Sequence, residues 1–332
     1  MKKVILITVL ALFSFGLIHG MDTRPFKKFY TLQVATMFDR DCWKAYDLYI
    51  KLKDEKQMVY YIRDKEGARV CVRVRVGVSG TQEDAKAAAV KFKADTQMSA
   101  IIVETTGITI TDYKGKFDMI NTPSGIWMWD YKDFKEVKNF GKSFNCEAIA
   151  AENPVAISPD GKYIVYLYEG KLTKIEIGSG KETDIVKSMD PAMKLERSSP
   201  KWSPDGKYVA FLDIMNAKAG TCLRVVKADG TDEKCVIDNS KKTRAVMAFE
   251  WGPAGNELYY VEGGTTMRVP IGGELYVTGL DGKSKLLVQP EKGSVIYRVF
   301  EIDGNKLNYN VAVFKGKSKD EYDLTEKTLN ID

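Results

Sequence analysis

Ser158-Pro159-Asp160-Gly161-Lys162 recurs as Ser203-Pro204-Asp205-Gly206-Lys207, and each copy runs straight into a β-branched and aromatic stretch: Tyr163-Ile164-Val165-Tyr166-Leu167 and Tyr208-Val209-Ala210-Phe211-Leu212. Gly252-Pro253-Ala254-Gly255-Asn256 and Glu301-Ile302-Asp303-Gly304-Asn305 are decayed copies. The starts lie 45, 49 and 49 residues apart, and a further step back of 45 reaches Tyr113-Lys114-Gly115-Lys116-Phe117, which keeps only the Gly-Lys. A fixed period of this length marks a repeat architecture. The motif residues have local reasons: Pro presets φ at the first corner, Asp bonds its own backbone, and Gly accepts positive φ. Calcium ligation by Asp160 and Asp205 is disfavoured, because the motif lacks the alternating oxygen ligands of a calcium loop.

A second turn follows each copy: Gly178-Ser179-Gly180-Lys181, Ala228-Asp229-Gly230-Thr231 and Leu280-Asp281-Gly282-Lys283. It separates another pair of strand-like runs, so each period holds about four strands, the content of one propeller blade. The chain from residue 105 to 332 therefore reads as an all-β propeller of about five four-stranded blades, with six left open.

The remaining sequence bounds what the protein does. Met1-Lys2-Lys3 and the apolar run Val4 to Ile18, ending near Gly20, read as a signal peptide over residues 1–20, with an uncleaved anchor as the alternative. No Cys follows the run, which argues against a lipoprotein signal. Loss of Lys2 and Lys3 leaves 48 basic against 45 acidic residues, a net charge of +3, too near neutral for a general polyanion binder. The one histidine, His19, lies in the signal segment, so the exported chain lacks an imidazole for a Ser-His-Asp triad or a histidine metal site. No cofactor and no metal are expected.

Residues 21–28 read as a linker and 29–104 as a separate α+β domain. Tyr30 to Met37 is a strand, Asp39 to Lys53 a helix, Gln57 to Arg63 and Arg69 to Val78 strands, Thr81 to Ala94 a helix capped by Thr81, and Gln97 to Val103 a strand. This β-α-β-β-α-β order is ferredoxin-like. In the third strand Val70, Val72, Val74 and Val76 alternate with Arg69, Cys71, Arg73 and Arg75. Period two puts the valines against the helices and the arginines on an open face. Gln33 of the first strand joins Arg73 and Arg75 there, and one of Tyr60 and Tyr61 offers that face an aromatic ring.

Two family resemblances follow. The strand, Ser-Pro-Asp-Gly-Lys and aromatic-strand pattern resembles TolB-like, WD40-like propeller repeats, which implies a periplasmic scaffold that binds proteins. The segments Phe29-Tyr30-Thr31-Leu32-Gln33-Val34-Ala35, Val72-Arg73-Val74-Arg75-Val76-Gly77 and Glu83-Asp84-Ala85 resemble a SPOR domain. That resemblance implies binding of peptidoglycan, favouring denuded glycan strands. It carries Gln33, Thr36, Cys71, Arg73 and Arg75 over as the binding residues, with Cys71 where the family places a large apolar contact and Ala35 in place of Gly. Amides and guanidiniums suit sugar hydroxyls, acetamido groups and lactyl carboxylates.

Cys222 and Cys235 flank the Ala228 to Thr231 turn. A four-residue loop from Lys227 to Gly230 would set them directly opposite, within reach of a disulfide. Cys42 with Cys71 is a weaker pairing, since their faces disagree. Trp127 and Trp129 share one strand face and are expected to pack between blades, a ligand platform being the alternative. The expected function is that of a non-enzymatic periplasmic envelope protein, monomeric or partner-bound. Its SPOR-like domain binds glycan strands and its propeller recruits an unidentified envelope protein. The alternative is a propeller enzyme or lectin-like sensor acting on wall fragments. Nucleic acid is not an expected partner, because the third strand lacks stacking aromatics.

Overall fold

The computed structural model describes residues 28–38, 41, 43–53, 57–66, 69–105, 108–140, 155–168, 171–186, 200–214, 221–239, 244–266, 269–315 and 322–331. The signal segment, most of the linker, Cys42 and Cys146 lie outside them. The chain divides into two compact units, one of residues 24–153 with 176–181, the other of 154–175 with 182–332 among its described parts.

The first unit opens with β1 (Tyr30–Phe38), α1 (Trp43–Leu52), β2 (Val59–Glu66), β3 (Arg69–Ser79), α2 (Gln82–Thr96) and β4 (Ile101–Glu104). The strands form one antiparallel sheet in the order β2-β3-β1-β4. Thr81 caps α2 by accepting from the Asp84 amide at 3.1 Å, and Gln97 ends it in a left-handed conformation, its N–H on the Lys93 carbonyl. Ala45, Tyr49, Leu52 and Phe92 of the helices pack on Leu32, Val59, Tyr61, Val72, Val74 and Val76, so the alternating valines face the helices. A second sheet completes the unit: β5 (Thr109–Tyr113), β6 (Phe117–Thr122), β7 (Gly125–Trp129) and β8 (Phe134–Asn139), in sequence order.

The second unit is a succession of antiparallel meanders. β9 (Val155–Ile157), β10 (Tyr163–Tyr168), β11 (Lys171–Glu176) and β12 (Glu182–Val186) form one sheet, and β13 (Lys201–Trp202), β14 (Tyr208–Ile214), β15 (Thr221–Lys227) and β16 (Lys234–Asp238) the next. A larger sheet joins β17 (Arg244–Trp251), β18 (Glu257–Thr266), β19 (Val269–Gly279) and β20 (Ser284–Val288) to β21 (Ser294–Asp303), β22 (Lys306–Phe314) and β23 (Tyr322–Asn330). The junction is a single pairing of Gly273 with Ile296. A Cβ on Gly272 would meet the Ile296 carbonyl oxygen at 2.6 Å, so the residue's lack of a side chain lets β19 meet β21. The last meander holds three described strands where the repeat predicts four.

The repeated turn works as its residues suggest. In both intact copies the Ser hydroxyl donates to the Asp carboxylate (2.7 Å at Ser158, 2.6 Å at Ser203) and accepts an amide from the strand beyond, Tyr163 or Tyr208, at 2.9 Å. The Asp also accepts from the Lys amide two residues on, and Gly161 and Gly206 sit at φ 72° and 71°. Apolar cores lie between neighbouring sheets. Val165, Leu167, Ile185 and Val186 meet Val209, Phe211 and Val226; Leu212, Leu223 and Val236 meet Phe249, Trp251 and Tyr260. An indole lock repeats between sheets: Trp202 Nε1 donates to the Ala156 carbonyl at 3.2 Å, and Trp251 Nε1 to the Lys201 carbonyl at 2.9 Å.

Cys222 on β15 and Cys235 on β16 are joined by a disulfide with Cα atoms 5.8 Å apart. They are not directly opposite: the register pairs Cys222 with Asp238 and Arg224 with Cys235, with a shift between Leu223 and Arg224. The Lys227 amide bonds the Thr231 carbonyl across residues 228–230, one residue fewer than the loop expected from sequence.

Replacing Cys222 and Cys235 together with serine should lower the free energy of unfolding by about 3 kcal/mol, the loop entropy of a cross-link across a sequence separation of 13. Chemical denaturation with and without reductant measures it. A second expectation concerns acid. The Ser158 hydroxyl, aided by the Lys162 amide, holds the Asp160 carboxyl below its ordinary value; burial pushes Asp205 up, but Ser203 and Lys207 outweigh it and leave it lowered. A depressed folded-state pKa gives stability that is present above the ordinary value of 3.8 and lost as pH falls through the folded value. Melting temperature should therefore drop below about pH 4, and Asp160→Asn with Asp205→Asn, which keeps an oxygen for each amide, should flatten that slope. An unaltered slope in the double variant would contradict this account.

Candidate functional site

The sheet of β1 to β4 has one face against the helices, and its other face carries the residues singled out from sequence. Across that face Ile101, Gln33, Arg75 and Tyr60 form one row, Thr36, Arg73 and Ile62 the next, and Phe38, Cys71 and Asp64 a third. Strict alternation along β1 would send Gln33 and Thr36 to opposite faces. A bulge between Gln33 and Ala35 adds one residue, Val34, and returns Thr36 to the side of Gln33. Gln33 Nε2 then donates to Thr36 Oγ1 at 3.1 Å.

This face is not open along its whole width, which corrects the sequence reading. Arg75 is 4% exposed, Gln33 7%, Cys71 0% and Tyr60 0%. Over Tyr60 the cover is the sheet of β5 to β8. Its Ile120 and Trp127, with Ile110, Trp129 and Phe134 around them, pack on Met58, Tyr60, Ile62 and Val78. Trp127 and Trp129 do share a face, but that face meets the preceding domain instead of filling a gap between blades. Tyr61 points to the helices, edge-on to Tyr49 at 5.4 Å, so the outward tyrosine is Tyr60, buried beneath the cover. Polar contacts flank the apolar ones: Asn139 Nδ2 donates to the Tyr49 hydroxyl at 3.0 Å, and Lys53 pairs with Glu136 at 3.0 Å.

The two arginines of β3 differ accordingly. Arg73 is partly exposed and its Nε bonds Asp64 at 2.9 Å. Arg75 lies against Tyr60, whose hydroxyl is pushed up by burial and drawn partly back by the guanidinium. Burial takes the Tyr49 hydroxyl up to about 12. Cys71 is covered on the same face and is not placed to meet a ligand from solvent. Arg69's side chain lies outside the description.

The accessible part of the face is at the β1–β4 end. Gln33, Val34, Ala35, Thr36, Ser99, Ala100 and Ile101 line a shallow hollow of about 250 Å³, and Ile101 is 59% exposed. It offers an amide, two hydroxyls and an exposed aliphatic side chain together, a set suited to a polyhydroxylated ligand with apolar ring faces. Ser99 and Ile101 escape a motif-based reading because only the pairing of β4 with β1 brings them beside Gln33. Among the described residues no cluster of three or more His, Cys, Asp and Glu is arranged to hold a metal ion.

Residues 27–104 match the family model described as the SPOR domain. No curated protein matches the sequence. Solved structures with similarity include a protein described as TolB from Agrobacterium tumefaciens (16% identity, 57% of this chain and 69% of that one, TM-score 0.39). They also include dipeptidyl peptidase 4 of Porphyromonas gingivalis (13%, 62% and 36%, 0.44) and the β-propeller domain of the Trilobed protease from Pyrococcus furiosus (13%, 53% and 57%, 0.35).

The split between the arginines is measurable. Arg73→Ala should cost less than about 1 kcal/mol of stability, as for other partly exposed pairs, whereas Arg75→Ala should cost about 2–4 kcal/mol by emptying a buried polar site. Equal losses in urea unfolding would contradict the burial of Arg75.

Proposed function

We propose that this protein is a non-enzymatic component of the cell envelope whose SPOR domain holds glycan strands of peptidoglycan at the β1–β4 end of its sheet. The observation that carries the reading is the convergence of Gln33 and Thr36, placed side by side by the Val34 bulge, on an open hollow of a domain that matches the SPOR family. The order β2-β3-β1-β4 with both helices on one face supports the ferredoxin-like description of the domain. In this reading Arg73 acts from the margin of the site, and the buried Arg75 and Cys71 support the face without touching the ligand.

The meanders from β5 onward serve as a propeller scaffold of five blades, the last with three strands, that recruits an envelope protein in cell division or envelope integrity. Export by the N-terminal segment places the protein in the periplasm. No described helix is long and apolar enough to cross a membrane.

The test is sedimentation of the full-length protein with purified sacculi. Wild type should co-sediment, more strongly with sacculi stripped of peptides by an amidase. Gln33→Ala with Thr36→Ala should weaken retention about thirtyfold, the loss of two hydrogen bonds of roughly 1 kcal/mol each. Incubation with purified wall should release no muropeptides. A folded protein that leaves stripped sacculi unbound would overturn the proposal.

A further inference from the structure

We infer that the edge of β23 is the docking site for the protein recruited by the meanders, which enters as an extended segment and supplies the strand that the last meander lacks. The inference rests on the reading of the meanders as a scaffold and names the surface that the scaffold uses.

The edge itself selects a polypeptide. Each of the four meanders before the last, β5–β8, β9–β12, β13–β16 and β17–β20, has a fourth strand antiparallel to its third. The last has β21, β22 and β23, and among the described residues β23 pairs with β22 alone. That pairing runs without a shift from Phe314 opposite Tyr322 to Lys306 opposite Asn330. The Ile331 amide donates to the Asn305 carbonyl, which fixes its phase. Alternate residues of an antiparallel ladder bond the same neighbour, so Leu329, Lys327, Thr325 and Asp323 turn their backbone groups to β22. Leu324, Glu326 and Thr328 therefore turn their N–H and C=O groups to the edge. A row of alternating donors and acceptors at this spacing is matched by another extended backbone. Edge strands are protected from pairing by proline, bulges, shortness or charge. β23 has nine residues, no proline and no bulge, and of these devices carries only charge.

The side chains define what the added segment carries. Asp323, Thr325 and Lys327 share a face with Val313, Val311 and Tyr309, their partners on β22. Thr325 and Lys327 border a cleft of about 280 Å³ that is lined by Ile296, Tyr309, Val311 and Val313 and bounded by the segment 288–292. Side chains at alternate positions of an added strand fall on this same face. An apolar one opposite Thr325 adjoins the cleft. Asp323 is already paired with Lys315 at 2.5 Å, whereas among the described residues Lys327 is in no ion pair. A carboxylate two residues from the apolar position would pair with it. The partner is thus an extended segment with an apolar residue and a carboxylate on one face. The stretch that precedes the first meander has no strand to spare for the role, because Ile101–Glu104 is β4 and pairs with β1.

The test is amide hydrogen exchange of the full-length protein, resolved by residue. In the protein alone, Leu324, Glu326 and Thr328 should exchange fast and Thr325, Lys327 and Leu329 slowly. The probe is a synthetic peptide of residues 232–239 with Cys235→Ser, the fourth strand of a complete meander, which carries Val236 and Ile237 between Glu233 and Asp238. At about ten times its Kd it should slow the three fast amides about tenfold. Lys327→Glu should weaken the peptide about fivefold, the upper end for an exposed ion pair. Glu326→Pro removes an outward N–H and keeps the bonds to β22, so it should abolish the protection with melting temperature and sacculus retention unchanged. Slow exchange at 324, 326 and 328 in the protein alone would overturn the inference, because a segment of this chain or, where the mass doubles, a second copy would then hold the edge. So would a peptide that protects neither form or both alike. An envelope protein held equally by immobilised wild type and Glu326→Pro would overturn the edge and leave the scaffold reading standing; if neither form holds one, both fall.

Discussion

One extra residue in β1 determines which side chains the N-terminal sheet presents. Before Val34 the strand places Thr31 and Gln33 on the face away from the helices; after it, Thr36 and Phe38. A flat strand would have turned Thr36 toward Val72 and Val74 and buried a hydroxyl among valines, at a cost of about 1–3 kcal/mol. The bulge avoids that cost and gathers Gln33 and Thr36 within 3.1 Å of each other. The same offset sets Gln33 opposite Arg75 and Thr36 opposite Arg73, and every statement about the hollow and the covered row depends on that register.

What was legible in the sequence was local. The Ser-Pro-Asp-Gly-Lys turn could be read because each of its bonds closes within six residues: Ser158 to Asp160, Asp160 to the Lys162 amide, Ser158 to Tyr163. The alternating valines could be read because a strand has only two faces. The helix cap at Thr81 and the buried Ala85 and Phe92 follow from the 3.6-residue period. The Cys222–Cys235 pair was found for an incomplete reason: the turn between them brings the strands together, but the shift between Leu223 and Arg224 sets the alignment, and bulges leave little mark in a side-chain pattern.

The state of the candidate face was not legible, because it depends on a contact between residues far apart in the chain. Nothing near Arg75 announces Trp127. Period two says that Arg73 and Arg75 share a face, and they do; it does not say that one lies 4% exposed against Tyr60 while the other is partly exposed and reaches Asp64. Burial changes their chemistry more than residue type does. A partly exposed guanidinium paired with a carboxylate contributes little to stability and can exchange partners with a ligand. A buried one is fixed by its surroundings, and its removal leaves a polar hole.

β7 shows why the first compact unit extends past the N-terminal domain read from sequence. Trp127 faces the N-terminal sheet at 1% exposure, and Ile126, on the opposite side of the strand, is 0% exposed. A strand buried on both faces cannot lie at the margin of a domain. The family match ends at residue 104, while the packing continues to Phe140. Cutting the chain at 104 would bare Met58, Tyr60, Ile62 and Val78 together, a contiguous apolar patch of the kind that drives association. Wall binding measured on such a fragment would mix specific recognition with adhesion by that patch. The full chain separates them, because in it the apolar half of the face already has a partner and only the β1–β4 end is accessible.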